Sequence, residues 1–159
     1  MKHFWIVLFL SAFLFCGCGS GGGERYTDSL SPRILAERCA SSIGLSGMEA
    51  ENADRIRDYA ALPSDADLTV LCAADRGNLD EVGVWRADNP EDARTLLETY
   101  LKNSYQDNRS YYDSYIPAQT SKLRDAEVRT FGNYVVYAIL DDRSRADFFK
   151  EIRAELLMK

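Results

Sequence analysis

One stretch constrains this chain more than any other: Tyr134 to Leu140, Tyr-Val-Val-Tyr-Ala-Ile-Leu. A strand made from it is apolar on both faces, so it belongs in the middle of a sheet. Gly132-Asn133 just before it is a two-residue hairpin turn, which makes Ala126 to Phe131 its antiparallel partner. A second hairpin lies upstream. Leu68 to Ala74 has Leu68, Val70 and Cys72 on one face by the period of two. Asp75-Arg76-Gly77-Asn78 is a turn, and Glu81 to Ala87 is the returning strand.

Helical periods fill the rest. Ser31 caps a first helix and Pro32 opens it. Ile34, Leu35, Cys39, Ser42 and Ile43 recur at helical spacing, and Gly44 stops the run. Residues 45–51 read as loop, 52–59 as a short helix, and Pro63 ends anything before it. Asn89-Pro90-Glu91-Asp92 caps the long central helix, with acids near the positive end of its dipole. Ala93, Leu97, Tyr100, Leu101 and Tyr105 keep its period through to Tyr115, and Pro117 stops it. Ser144 with Asp147 matches a capping box for a last helix. Its core face is Phe148, Phe149, Ile152, Leu156 and Leu157. The order helix, two strands, helix, two strands, helix predicts an α+β fold. A four-stranded, mainly antiparallel sheet packs against three main helices.

The first residues carry a different message. Lys2 and His3 precede an apolar run from Phe4 to Phe15, broken only by Ser11. A charged start, an apolar core and small residues before a cut describe a secretory signal. The run falls short of the roughly 20 residues that span a bilayer. Gly17-Cys18 resembles the cleavage site of bacterial lipoproteins, with Gly17 as the small residue and Cys18 as the thiol that carries diacylglycerol. Phe15 stands where a branched residue is usual, with Leu14 one place off. Cys16 is a rival, but bulky Phe15 before it is a poor cleavage residue. The alternatives are a plain signal peptide or an uncleaved anchor. The lipoprotein resemblance implies a signal peptide over 1–17 and two or three acyl chains on Cys18, and stable anchoring takes about two. Glycine-rich residues 18–29 read as a flexible tether, and 30–159 as one globular domain. Gly17-x-Gly19-x-x-Gly22 follows no strand and opens no helix, so it is no dinucleotide fingerprint.

Removing residues 1–17 from the 159 leaves 142, enough for a real core. Lys2 leaves with them, so the formal charge moves from −6 to −7. An acidic surface of mixed sign gives no footprint for nucleic acid and no polybasic supplement for anionic lipid. The membrane link is then the lipid alone. His3, the one histidine, is also lost. With it go the commonest general base and metal ligand. No Gly-x-Ser-x-Gly elbow is present. Cys39 and Cys72 remain, either as a disulfide or as two buried free thiols.

Five of the nine tyrosines lie between Tyr100 and Tyr115. Tyr111, Tyr112 and Tyr115 form either an interaction platform for a peptide, glycan or protein or a cover over the helix end. Three rings at these positions cannot all face inward on a helix, so at least one should be exposed. Asp65/Asp67 and Asp141/Asp142 imitate a carboxylate dyad, but each pair lies in a predicted loop. Asp75, Asn78, Asp80 and Glu81 do not match the spacing of a calcium loop. No cofactor and no metal is expected.

Three segments carry a family resemblance. They are Glu81 to Ala87; Tyr112 to Pro117 with Lys122-Leu123; and Asp125-Ala126 through Gly132-Asn133-Tyr134-Val135. In this order, after a lipoprotein signal, they resemble small bacterial lipoproteins catalogued as domain of unknown function 4358. The likeness covers roughly residues 30–157, and Cys39 and Cys72 lie outside its pattern. The resemblance implies mostly Gram-positive, spore-former-type hosts, hence a domain outside a single membrane. It carries no activity, cofactor or catalytic residue across. The expectation is a non-enzymatic, lipid-anchored extracytoplasmic binding or scaffolding domain of the cell envelope, with an envelope protein or peptide as partner. A solute-receptor-like lipoprotein is the alternative, and a carboxylate-only hydrolase a more distant one.

Overall fold

The computed structural model describes residues 24–45, 47–75 and 77–158. The signal segment, Gly17 and Cys18 lie outside the described residues. Its middle layer is a five-stranded, wholly antiparallel sheet: β1 (Met48–Glu51), β2 (Asp67–Ala73), β3 (Glu81–Arg86), β4 (Glu127–Phe131) and β5 (Tyr134–Ile139), in the order β1-β2-β3-β5-β4. β5 lies between β3 and β4 with every residue buried, as its two apolar faces demand.

β1 corrects the four-strand expectation and occupies part of the stretch read as loop. Its sequence is Met-Glu-Ala-Glu, with the last three residues exposed. It is an edge strand, and acidic side chains there discourage pairing with another chain.

Helices cover both faces: α1 (Pro32–Ser42), α2 (Asp54–Arg57), α3 (Pro90–Tyr115), α4 (Thr120–Arg124) and α5 (Asp142–Leu156). The three long helices are those expected, α2 falls within 52–59, and α4 follows a 3-10 turn at Pro117–Gln119. α1 ends at Ser42 and Gly44 takes φ +79°, the left-handed conformation that glycine adopts most readily. α5 starts earlier than the Ser144–Asp147 pattern predicts. Asp141 is its cap and accepts from the amides of Arg143 and Ser144, so Ser144 is already inside the first turn.

The period of two sorts the strand residues between two layers. Leu71, Val82, Val84, Val136 and Ala138 pack against Leu35 and Cys39 of α1 and Phe148, Phe149 and Ile152 of α5. Val70, Trp85, Val135, Tyr137 and Ile139 pack on the other side, against Ile56 of α2, Leu97 and Tyr100 of α3 and Leu123 of α4. This partition excludes the disulfide. Cys39 packs in the first layer and Cys72 against the second, and both are free thiols. Burial, followed by Glu155 and Glu151, pushes the Cys39 thiol up to about 12.

The tether expected over 18–29 gives way to fixed structure before Ser29. The Thr27 amide donates to the Leu156 carbonyl at 2.8 Å and the Met158 amide to the Arg25 carbonyl at 2.8 Å. Tyr26 meets the Phe131 ring edge-on at 5.8 Å. Residues 25–27 therefore belong to the folded body, as an extra strand-like segment beside the end of α5.

Candidate functional site

Strand β3 opens on a charge. Glu81 is 4% exposed and faces the second layer, on the same side of the strand as Gly83 and Trp85. Its carboxylate is held by neighbours from four elements. Oε1 accepts from the hydroxyls of Tyr100 (α3) and Tyr137 (β5), each at 2.6 Å. Oε2 pairs with the Arg55 guanidinium (α2). The Cys72 thiol of β2 lies 3.5 Å from Oε2 and 3.2 Å from Arg55 Nη2.

Gly83 makes this arrangement possible. It is the cross-strand partner of Tyr137, and a Cβ there would sit 2.0 Å from the Tyr137 ring. Without one, the ring lies across β3 and its hydroxyl reaches Glu81 two residues along.

Each hydrogen bond to the carboxylate contributes about 1.5–3 kcal/mol, set against the several kcal/mol that burying the charge costs. The environment fixes the proton positions. Burial, and then Glu81, holds the Tyr100 and Tyr137 phenols well above their ordinary range. Burial, with Glu81 next, pushes the Cys72 thiol up to about 12. Burial works against the Arg55 charge, but the adjacent carboxylate outweighs it and raises its pKa. At neutral pH the two phenols and the thiol therefore keep their protons, and Arg55 keeps its charge. A thiol kept protonated is a poor nucleophile. Both phenols already donate to the Glu81 carboxylate.

A cavity of about 270 Å³ opens beside Glu81, between β3, α2 and α3. Arg55, Tyr59, Cys72, Tyr100 and Tyr112 are among its walls. Lys122 of α4 ties down the β2–β3 turn, donating to Asp80 at 2.6 Å and Asn78 at 3.0 Å. This ammonium pairs with Asp80, one of the turn acids whose spacing does not match a calcium loop. Among the described residues, no three metal-ligating side chains stand together.

Tyrosine rings line the way from the buried carboxylate to the surface. Tyr137 and Tyr100 are 5.6 Å apart, and Tyr100 and Tyr59 are 6.1 Å apart. Tyr59 and Tyr112 both line the cavity. Beyond it, Tyr112 and Tyr111 are 5.7 Å apart, and Tyr111 and Tyr115 are 5.0 Å apart. Tyr111 is 54% exposed and Tyr115 73% exposed. The tyrosines singled out from sequence thus come together at the end of α3. Tyr112 alone covers the interior, and two rings face outward.

The acid pairs have structural partners. Asp67 bridges to Arg86 at 2.8 Å, Asp141 caps α5, and Asp142 bridges to Arg145 at 2.7 Å. Asp65 and Asp67 lie along a larger cleft of about 530 Å³ that Arg86 also lines.

Sequence reasoning missed Glu81, Arg55 and Tyr137 as a group. One signal was available. The parity that sends Trp85 to the core also sends Gly83 and Glu81 there, and a glycine in a strand marks a close approach. The convergence of α2 with α3 had no such signal.

A family model described as Domain of unknown function (DUF4358) matches residues 43–140, more than half of the chain. That span includes every side chain of the Glu81 cluster. No curated protein and no solved structure matches the chain.

Proposed function

This chain belongs to the DUF4358 family of domains of unknown function, and we propose that it is a lipid-anchored, extracytoplasmic binding domain of the bacterial cell envelope. It docks an envelope protein or peptide through Tyr111 and Tyr115, with Tyr112 beneath them. The anchor is Cys18, exposed by cleavage after Gly17. The domain binds without catalysing a reaction.

One observation carries the reading. Two tyrosine rings stand exposed side by side on the last turns of a 26-residue helix. Tyrosine supplies large, amphipathic contact area at low entropic cost, which is why it is enriched at interfaces. The bonding of the Glu81 cluster gives separate support to binding without catalysis, because its one carboxylate and both phenols are bonded to one another.

Photo-crosslinking in native envelopes, from a reactive group at the exposed Asp107, one turn before Tyr111 on the same helix, tests the docking surface. The wild-type protein should yield a discrete adduct that Tyr111→Ala/Tyr115→Ala loses while its circular dichroism is unchanged. An adduct that survives the double substitution overturns the proposal. The anchor is tested by intact mass of the membrane-extracted protein. A chain still beginning at Met1, or a Cys18→Ser variant that still partitions into membrane, counts against it.

A further inference from the structure

We propose that the cavity beside Glu81 is a carboxylate-receiving subsite, and that the partner is a peptide whose free C-terminal carboxylate enters it. The proposal deepens the docking reading above and rests on it for the part of the peptide outside the cavity.

The argument begins with Arg55. Among the described residues that line the cavity it is the one cation. Only its Nη2 is engaged, by Glu81 and the Cys72 sulfur. Its Nη1 and Nε have no hydrogen-bond partner among the described residues, and its side chain is 45% exposed. A guanidinium is a fork built for bidentate carboxylate recognition. Here Glu81 and the Cys72 sulfur occupy a single nitrogen, Nη2, which leaves Nη1 and Nε as donors for a second carboxylate.

The grip is rigid. Glu81 is fixed by two phenols that are themselves 3% exposed or less, so the guanidinium is aimed before any ligand arrives. That pre-organisation lowers the ordering cost of binding.

Of the other two acids in the lining, Asp80 is paired with a cation and Glu51 is exposed, where water and salt screen its charge. Asp80 is taken by Lys122 and Asn78. Glu51, at the exposed rim, accepts from the Asn52 amide. Tyr59 lends support, because its oxygen accepts from Asn108 at 3.1 Å and its own proton has no acceptor among the described residues.

Size and continuity select the ligand. A volume of about 270 Å³ is small for a drug-sized molecule and fits a chain end of one or two residues. Tyr112 lines the cavity and its ring adjoins Tyr111, so the wall continues onto the exposed rings. A peptide end anchored at Arg55 would place its preceding residues against Tyr111 and Tyr115. Capture of a terminal carboxylate together with extended-chain contacts is an established mode of peptide recognition.

The test uses a pooled library of N-acetylated tetrapeptides, made once with free C-terminal carboxylates and once with C-terminal amides. The full-length protein in lipid vesicles is equilibrated with each pool, and retained peptides are measured by mass spectrometry. The acid pool should be retained with affinities about tenfold or more above the amide pool. Arg55→Gln should abolish the difference. Arg55→Lys, which keeps the charge but not the fork, should recover part of it, and a thermal melt of each variant confirms folding. Tyr111→Ala/Tyr115→Ala should weaken retention while leaving the preference for acid over amide intact. Equal retention of the two pools, or retention of neither, overturns the carboxylate subsite. A preference for the acid pool that depends on Arg55 but not on the two tyrosines keeps the subsite and overturns the docking surface.

Discussion

At the scale of single residues, Gly83 and Glu81 depend on each other. Alanine at 83 puts a methyl group where the Tyr137 ring now lies, 2.0 Å from its Cε1. The ring is fully buried and has nowhere to retreat. Gly83→Ala should therefore destabilise the fold by about 1–3 kcal/mol, the range for overpacking a core, in denaturant titrations. Tyr137→Phe in the Gly83→Ala background should cost less than in the wild type, because the hydroxyl bond is already strained. Equal costs in a double-mutant cycle would show the two residues to be independent.

The buried thiols and phenols of both layers set the alkaline limit. Cys39 and Cys72 titrate near 12, and Tyr100 and Tyr137 are held well above their ordinary range. In the unfolded chain the thiols lose protons near pH 8.5 and the phenols near 10. Folded-state pKa values that are raised give stability that is fully present below the unfolded values. As pH rises past them the unfolded state binds fewer protons, so stability falls. Unfolding free energy should decline from about pH 8.5 toward 12. Tyr100→Phe/Tyr137→Phe should show a shallower decline above about pH 10. An unchanged slope in that variant would mean that the buried phenols do not govern the loss.

At the scale of elements, what could be read in the sequence followed from burial. β2, β3, β4 and β5 were legible because their residues alternate or run apolar throughout. α1, α3 and α5 carry a helical period, and α1 and α3 have clear caps at Ser31 and Asn89. β1 was not legible, because an edge strand of four residues with three exposed leaves no apolar signature. The Glu81 site was half legible, since strand parity points Glu81 inward but nothing local announces that Arg55 of α2 will meet it. The start of α5 is the sharpest difference. Ser144 fits a capping-box pattern, yet Asp141 takes the role because its oxygens reach two amides and the Ser144 hydroxyl at 2.8–3.1 Å. Nearby backbone amides hold its carboxyl below the usual carboxylate range. Asp141→Ala should cost about 1 kcal/mol, the usual value for a lost cap, while Ser144→Ala should cost a few tenths. Thermal melts of the two variants distinguish them, and the reverse ranking would restore Ser144 as the cap.

At the scale of the whole molecule, the docked N-terminal segment decides which way the domain faces. Glu24 pairs with Arg153 on α5, and residues 25–27 bond to 156–158. The chain therefore reaches the fold in the α1/α5 layer, while Tyr111, Tyr115 and the cavity belong to the α3 layer across the sheet. If Cys18 carries the lipid, only Gly19 to Gly23 separate it from Glu24. Five residues span at most about 18 Å. A domain of this length is roughly 35 Å across, so such a linker cannot carry the anchor round to the far face. The α1/α5 layer then lies against the bilayer and the tyrosine surface points outward, where an envelope partner can reach it. Fluorophores placed singly at Lys150 on α5 and at Arg109 on α3, both exposed, test this. In vesicles with nitroxide-labelled headgroups, the probe at 150 should be quenched more strongly than the probe at 109. Lengthening the linker by about 20 glycine-serine residues, which roughly doubles its reach, should reduce that contrast. Stronger quenching at 109 would turn the docking surface toward the lipid, where no soluble peptide end could enter the cavity.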